Sequence, residues 1–345
     1  MEYGHGGDIY TYQGVTDFSA NINPFGPSEA VIEAAKAGLL SAGQYPDSRC
    51  RRLCEKLEKK TGVSREWFLP GNGAADLIFS LVLAEKPKKA VIPVPAFSEY
   101  SQALRTIDCE EIEYLLKPEE NFRLTEDFLS VLTEEVDMVF LCSPSNPAGQ
   151  TVEPELLDAI AKRCGENRIR LVIDACFSEF LEHPEDARLY ELSARYPQTI
   201  VLYAFTKMHA IPGLRLGYGV SSDSGLLERI RQVRQPWSVS VVAEAAGIAA
   251  LDEEERAAMT RDYIRKERAF LQAELQRLGL RVIPSEVNYV LFYSEKELFE
   301  AMKERGFLIR DCANYRGLAR GWYRIAVRKR EENRGLIRAM EEVLR

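Results

Sequence analysis

Nearly continuous apolar runs between residues 70 and 220 constrain the fold of this chain more than any other feature. Examples are VDMVFLC, LVID and IVLYAF. Strands that are buried on both faces of a sheet have this composition. With their neighbours these runs predict strands at 90–93, 136–142, 170–174, 199–205 and 216–220. Helical patterns fall between them, for example at 74–85 and 153–164, so the sequence predicts an α/β fold with a largely parallel sheet and right-handed crossovers.

The pattern changes after residue 225. A long, highly charged helical region is predicted from about 228 to 278, followed by the strand candidates NYVLFY and WYRIAV. A smaller α+β domain at the C-terminus is therefore expected, and a chain of 345 residues is long enough for two domains. We predict four segments: 1–40 packing with the small domain, 41–225 as the large domain, 226–265 as connecting helices and 266–345 as the small domain.

Composition argues against several classes of protein. The formal net charge of −8 disfavours nucleic acid as a partner, because phosphate contacts need clustered Lys and Arg. No run of about 18 apolar residues occurs, so no membrane span is expected. The polar start MEYGHGGDIYTYQG does not resemble a targeting segment, which favours the cytoplasm. Scattered cysteines and three histidines give few candidate metal ligands, so we expect reduced thiols and no metal site.

Polar or Gly- and Pro-rich motifs follow the carboxyl ends of the predicted strands. They are PVPAFSEY, SPSNPAG, DACF and FTK. In open α/β sheets, ligands bind outside these strand ends. The sequence therefore predicts the functional site at that edge of the sheet.

Lys207 and Asp174 stand at the ends of two apolar strands. A charged lysine at a buried strand end is costly, and desolvation favours the neutral, nucleophilic amine that Schiff-base chemistry needs. A carboxylate that closes an apolar strand needs a partner, which can be a protonated cofactor ring nitrogen or a helix N-terminus. Taken singly, Lys207 fits a surface charge and Asp174 fits a helix cap.

Other residues could bind an anion or a flat ring. GNGAA at 71–75 precedes a helical pattern, so its backbone N–H groups could bind a phosphate, although an ordinary turn has the same composition. Thr206 offers a hydroxyl donor, and Arg215 a charge-assisted hydrogen bond. Phe97 could stack on a ring, although a core aromatic residue explains it equally.

The order of these motifs along the chain resembles that of the fold-type I enzymes that use pyridoxal 5′-phosphate (PLP), in the aminotransferase class I/II superfamily. The resemblance spans nearly the whole chain and rests on GNGAA, Phe97, SPSNPAG, Asp174, Lys207, Arg215 and a late Arg324 in WYRIAVR. It implies PLP as the cofactor, a large domain with a mostly parallel sheet of the seven-stranded type and a smaller α+β domain. It also implies a homodimer with a shared active site.

The resemblance implies a role for each matching residue. Lys207 matches the catalytic lysine that holds PLP as a Schiff base, Asp174 the partner of the ring nitrogen and Asn146 the donor to the ring hydroxyl. Tyr45 matches a tyrosine that reaches the phosphate of the neighbouring subunit's cofactor. The remaining cofactor contacts are Phe97, which stacks on the ring, and Gly73, Ala74, Ala75, Thr206 and Arg215 at the phosphate.

Within the superfamily, the branch with threonine-phosphate decarboxylases and histidinol-phosphate aminotransferases fits best. HGG at 5–7, DFSANINPFG at 17–26 and RDCANYRGL at 310–318 are similar to the decarboxylases of cobalamin biosynthesis. This similarity implies a phosphorylated amino acid as substrate. Its phosphate and carboxylate would be bound by His5, Asn23, Arg310 and Arg324.

Three departures leave the substrate open. Ala175 replaces the usual glutamate, Phe177 replaces a frequent tyrosine, and the loop at 235–240 is shorter and ends in Ser240 instead of asparagine. The first hypothesis is a decarboxylase of O-phospho-L-threonine or a similar compound. The second is an aminotransferase such as one for histidinol phosphate, and the third is a binding or regulatory protein without turnover.

Overall fold

The computed structural model describes residues 4–184 and 189–345. Helices and strands alternate through the first two thirds of the chain. The strands are β1 (Thr16–Asp17), β2 (Phe68–Gly71), β3 (Lys89–Val94), β4 (Glu110–Leu115), β5 (Met138–Cys142), β6 (Arg170–Asp174), β7 (Thr199–Ala204), β8 (Gly217–Val220), β9 (Arg281–Val282), β10 (Tyr289–Tyr293), β11 (Phe307–Leu308), β12 (Arg310–Asp311) and β13 (Trp322–Ala326). The helices are α1 (Glu29–Leu39), α2 (Arg51–Thr61), α3 (Ala74–Glu85), α4 (Ser98–Arg105), α5 (Pro154–Glu166), α6 (Tyr190–Arg195), α7 (Phe205–Met208), α8 (Ser224–Val233), α9 (Val241–Ala250), α10 (Glu254–Arg277), α11 (Phe299–Glu304) and α12 (Arg330–Leu344).

The large sheet has seven strands in the order β2-β8-β7-β6-β5-β3-β4. The neighbouring strands β7, β6, β5, β3 and β4 pair in parallel, and β8 runs antiparallel to both β7 and β2. The predicted α/β fold with a mostly parallel seven-stranded sheet is therefore confirmed. Its central strands are buried on both faces, and every residue of β7 is buried. Apolar side chains on the two faces form separate clusters under the flanking helices, each fully buried Val, Leu or Ile contributing about 1.5–3 kcal/mol.

The sequence patterns missed two strands at the edges of the large sheet. The edge strand β4, EEIEYL, is partly exposed along its length, so it lacks the continuous apolar run of a central strand. The other edge strand, β2, has only four residues and contains Pro70 and Gly71, which are depleted in strands.

The smaller sheet is antiparallel, with the order β12-β13-β10-β9. The segments NYVLFY and WYRIAV form its central pair, β10 and β13, as predicted. The region from 228 to 278, predicted as helical, forms the three helices α8, α9 and α10. A loop with Pro236 separates the first two of them, since proline removes a backbone donor. Helix α9, VVAEAAGIAA, is also apolar and not highly charged.

The N-terminal segment contacts both parts of the molecule. Strand β1 pairs in parallel with β11, next to the small sheet, and α1 packs on α9. The four domain boundaries given above stay a prediction.

Candidate active site

A cavity of about 620 Å³ lies at the carboxyl ends of the central strands, where the polar motifs were found. Most of the residues predicted for the site line it. They are His5, Ala74, Ala75, Phe97, Asn146, Asp174, Thr206, Lys207, Arg215, Arg310 and Arg324.

Asp174 is buried at the end of β6, with 5% of its surface exposed. Its Oδ2 accepts a hydrogen bond from the Tyr100 hydroxyl at 2.6 Å, and its Oδ1 accepts one from the Cys176 backbone N–H at 3.0 Å. Among the described residues, these donors are neutral. Within residues 4–184 and 189–345 no cation forms an ion pair with this carboxylate, although its charge acts on Lys207, so a protonated pyridine nitrogen would be a suitable partner.

Lys207 lies in the short helix α7, directly after β7. Burial, and then the positive charge of Arg324, lower the pKa of Lys207 to about 8. Its Nζ is 5.4 Å from the centroid of the Phe177 ring. A lysine with this pKa is partly neutral near physiological pH, and the neutral amine is the nucleophile that attacks a carbonyl group.

The N-terminus of α3 forms one end of the cavity. The helix starts at Ala74 after Gly73, which offers no side-chain cap, so the first N–H groups remain for a ligand. Gly73 has φ +84°, and a Cβ there would lie 2.5 Å from Nη2 of Arg215. Only glycine lets this guanidinium approach the helix terminus. Together with the nearby Thr206, this arrangement fits a phosphate group.

Arg324 on β13 is buried, with 5% of its surface exposed. Its Nη1 donates to Asn146 Oδ1 and to the Tyr315 hydroxyl at 3.2 Å, and its Nη2 donates to the Ser19 carbonyl at 3.0 Å. Within the described ranges these acceptors are uncharged. The positive charge of Arg324 is therefore not matched by a carboxylate, which suits an anionic ligand in the cavity.

The HGG motif brings a second set of positive groups to the cavity. Gly6 lies so close to Ser19 that a Cβ would be 2.2 Å from the Ser19 carbonyl oxygen, so glycine is needed for the segment to fold over the site. His5 Nε2 is 3.5 Å from Glu99 Oε1. Arg310 donates to the backbone carbonyl of Gly4, adjacent to His5. Arg310 and His5 thus line the cavity together, with the Glu99 carboxylate beside His5.

The expected substrate contact of Asn23 needs correction. Asn23 does not line the cavity; its Nδ2 donates to the Met208 carbonyl at 2.8 Å and contacts Thr260 Oγ1 at 3.4 Å. It is buried behind the turn that carries Lys207, so its amide is already occupied. Asn21, two residues earlier, lines the cavity instead, and its buried Oδ1 has no hydrogen-bond partner. The first asparagine of NINP is therefore the better candidate for a ligand contact.

Tyr45 also lies outside the cavity of its own chain. It is 79% exposed, and its ring stacks on Trp237 with a centroid distance of 4.4 Å. Trp237 belongs to the loop at 235–240, so the altered loop contacts this tyrosine. The role of Tyr45 at a neighbouring subunit's phosphate stays a prediction.

The other departures from the family pattern are accommodated locally. Ala175 is buried and Phe177 packs edge-on against Tyr289 at 4.9 Å. Ser240 caps α9, its hydroxyl oxygen accepting a hydrogen bond from the Ala243 N–H at 3.1 Å. Ala175 and Ser240 are therefore accommodated within the fold, whereas Phe177 also lines the cavity beside Lys207.

Sequence reasoning missed Tyr100, Tyr315 and Asn21. Tyr100 lies three residues after Phe97, and α4 begins between them, so the PAFSEY motif contained a signal for a second inward-facing aromatic residue. The hydrogen bond that joins Tyr315 to Arg324 depends on the folded small sheet and had no local signal.

A matched pair of substitutions separates the two asparagines. We expect Asn21→Ala to raise the KM for substrate about tenfold with little change in melting temperature, since Asn21 has an unused acceptor in the cavity. Asn23→Ala should instead destabilise the protein by about 1–3 kcal/mol, because the buried Met208 carbonyl loses its donor. Steady-state kinetics and thermal unfolding of both variants check this. If Asn23→Ala raises the KM and Asn21→Ala lowers the stability, the substrate contact belongs to Asn23 as the sequence predicted.

The chain matches known proteins over almost its whole length. The family model described as aminotransferase class I and II matches residues 13–340, and the chain belongs to that family. It is 38% identical over 352 residues to threonine-phosphate decarboxylase of Salmonella typhimurium, covering 99% of this chain and 96% of that protein. It is 35% identical over 334 residues to histidinol-phosphate aminotransferase of Symbiobacterium thermophilum, covering 94% and 89%.

Solved structures share the fold. Histidinol-phosphate aminotransferase of Sinorhizobium meliloti, in complex with pyridoxal-5′-phosphate, superimposes with a TM-score of 0.84 at 23% identity, covering 94% of this chain and 89% of that one. The protein is a PLP-dependent enzyme of this family, which confirms the predicted cofactor and enzyme class. Which residues hold the cofactor stays a prediction that the geometry above supports.

Two further observations concern ligands and membranes. Across residues 4–184 and 189–345, no group of His, Cys, Asp and Glu side chains is arranged to hold a metal ion. None of the helices in the same residues combines the length and the apolar character that crossing a bilayer requires.

Proposed function

We propose that this protein is a PLP-dependent decarboxylase of O-phospho-L-threonine or a similar phosphorylated amino acid. The observation that carries the proposal is that two separate arginines line one cavity, the buried Arg324 and the partly exposed Arg310, which contacts the segment that carries His5. A phosphorylated amino acid has two anionic groups to match them. The sequence similarity to threonine-phosphate decarboxylase over 99% of the chain supports the same choice. Cobalamin biosynthesis and the cytoplasm are the pathway and compartment that the resemblance implies.

The residues divide the work as follows. When bound, PLP supplies an electron sink for the pair left at the substrate Cα. Asp174 would pair with the protonated ring nitrogen, the terminus of α3 with Arg215 would bind the phosphate, and Phe97 would pack against the ring face. Lys207 would bind the cofactor covalently, and after the substrate amine has displaced it, its free Nζ would deliver a proton to Cα.

Substrate orientation decides which bond breaks. Arg324 binds the carboxylate, while Arg310 and His5 bind the substrate phosphate, which fixes rotation about the bond between nitrogen and Cα. Decarboxylation would follow if the carboxylate were held perpendicular to the plane of the cofactor ring. Transamination follows when the Cα–H bond takes that position.

The active enzyme is proposed to be a homodimer. Large apolar side chains are exposed where α1 ends and shortly after it, namely Leu39, Leu40 and Tyr45, together with Trp237. Tyr45 and Trp237 stack on each other without cover from their own chain. A second copy of this chain would bury these side chains and bring Tyr45 near its own cofactor phosphate.

The second candidate is an aminotransferase for histidinol phosphate or another amino acid. The 35% identity to histidinol-phosphate aminotransferase favours it. A binding protein without turnover has less support, because Lys207 and Asp174 are both present in the cavity.

A product assay tests the function. PLP-loaded protein is incubated with O-phospho-L-threonine, with and without 2-oxoglutarate, and CO₂ and glutamate are measured. We expect CO₂ without any oxo acid. Glutamate that forms only with 2-oxoglutarate would instead identify the protein as an aminotransferase. If neither CO₂ nor glutamate forms, O-phospho-L-threonine is excluded as the substrate.

A variant pair tests the phosphate assignment. Arg310→Gln should reduce the preference for O-phospho-L-threonine over L-threonine in kcat/KM by about 10- to 100-fold, since a charge-assisted contact to the phosphate is lost. Arg320→Gln, at an exposed position outside the cavity lining, is the control and should keep the wild-type preference. An unchanged preference in Arg310→Gln would remove Arg310 from the phosphate site.

A further inference from the structure

A buried histidine that the proposed mechanism does not use lies two residues after Lys207. His209 follows α7 directly, and 7% of its side chain is exposed. A carboxylate faces each ring nitrogen: Nε2 is 3.5 Å from Glu179 Oε1, and Nδ1 is 3.8 Å from Glu253 Oε2. Both nitrogens are donors only in the imidazolium form, so this environment favours the charged ring.

The two carboxylates come from different parts of the chain. Glu179 lies in a short 3₁₀ helix, Ser178–Phe180, shortly after Asp174. Glu253 is the N-cap residue of α10. His209 therefore connects the turn after β7 with the segment after β6 and with the start of α10.

Other charges surround this cluster but do not replace the imidazolium. Lys60 and Arg261 act on Glu179, and Arg256 acts on Glu253, whose carboxylate also accepts a hydrogen bond from Ser28. Lys60 additionally donates to Glu254 at 3.0 Å, and Arg256 donates to the Gly26 carbonyl at 2.9 Å. The other cations are thus shared with further partners, while His209 lies between the two carboxylates.

The turn that carries Lys207 has a second, neutral attachment. The Asn23 backbone N–H donates to the Lys207 carbonyl at 3.1 Å, and its side-chain amide donates to the Met208 carbonyl. The same amide contacts Thr260 of α10. The turn is thus held by an uncharged amide and by a charged imidazole. The attachment through the imidazole changes with pH, whereas the attachment through the amide does not.

We propose that His209 is a positioning residue for Lys207: its imidazolium, held between Glu179 and Glu253, fixes the turn that carries the lysine, and cofactor affinity depends on its charge. Burial alone would lower the pKa of His209, but the Glu179 carboxylate and then Glu253 raise it to about 9. Since the pKa in the folded protein exceeds the ordinary value of 6.5, the contribution is complete below 6.5 and is lost as the pH rises through about 9. The proposal assumes that PLP is bound at Lys207.

The test compares the PLP dissociation constants of His209→Gln and wild-type protein between pH 7 and pH 10, by fluorescence titration. Titration of Lys207 and of PLP cancels in the ratio of the two constants. We expect the variant to bind about tenfold more weakly at pH 7 and equally at pH 10, where the wild-type imidazole is neutral as well. If the ratio of dissociation constants is above one but does not change with pH, His209 acts through packing alone and the proposal is overturned. A ratio of one at every pH would also overturn it.

Controls keep the result interpretable. His183→Gln, at an exposed histidine, should bind PLP like the wild type at every pH. If circular dichroism shows that His209→Gln does not fold, Glu179→Gln takes its place, since that carboxylate is 41% exposed. This variant should shift the loss of PLP affinity about one pH unit lower, and an unshifted profile would contradict the proposal. Because no substrate is used, a failure here is distinct from a failure of the proposed decarboxylase activity.

Discussion

Replacing Lys207 by alanine is expected to lower kcat by at least about 10⁴-fold, because the residue is both the covalent attachment point and the proton donor to Cα. The variant should also lose the visible absorbance band of the attached cofactor. The variant should still fold. Burial lowers the pKa of Lys207 to about 8, which means that the charged ammonium group destabilises the protein without cofactor, and alanine removes that destabilising charge. Activity, absorbance and thermal unfolding measured on one preparation check the three parts.

The control for this prediction is Lys162→Ala, which removes an exposed lysine. It should retain full activity and the absorbance band. If Lys207→Ala keeps both properties as well, another lysine holds the cofactor and the site assignment is wrong.

Asp174→Asn is expected to have the next largest effect. The asparagine carbonyl can still accept the Tyr100 hydrogen bond, but its NH₂ group cannot accept the one from the Cys176 N–H, so the variant loses the negative charge and one neutral hydrogen bond. Removing one partner of a buried ion pair costs about 3–5 kcal/mol. Since this loss falls on the transition state, kcat should decrease by roughly 10²- to 5 × 10³-fold.

Two further variants make this prediction specific. Tyr100→Phe removes one neutral hydrogen bond to Asp174 but leaves the charge, so kcat should decrease only several-fold, for about 1 kcal/mol. Asp127→Asn changes an exposed carboxylate and should have no effect. Similar activities of Asp174→Asn and the wild type would show that Asp174 does not pair with the cofactor.

The central strands were predictable because their physical signal is local. Strands such as β6 and β7 lie between helices on both faces, so burial requires continuous apolar runs that are visible in the sequence. The edge strand β4 has one neighbour and exposed glutamates, and its sequence resembles a loop. To predict the break between α8 and α9, Pro236 would have to be given more weight than the helical charge pattern around it.

The site was predictable to the extent that its residues follow strand ends. Asp174 ends β6, and Lys207 follows the adjacent strand β7 in the short helix α7, so both residues are placed at the same edge of the sheet. The choice between Asn21 and Asn23 could not be made, because NINP lies in an irregular segment without the periodicity that assigns side chains to a face. The contacts of His209 join residues far apart in the chain, and only the folded structure brings them together.

The most direct test of the central claim is to locate the covalent attachment of the cofactor. PLP-loaded protein is reduced with borohydride, which converts a Schiff base to a stable secondary amine, and is then digested for peptide mass spectrometry. The account predicts one modified peptide, with the added mass on Lys207. A modification on another lysine, or no modified peptide from protein that contains PLP, would contradict it.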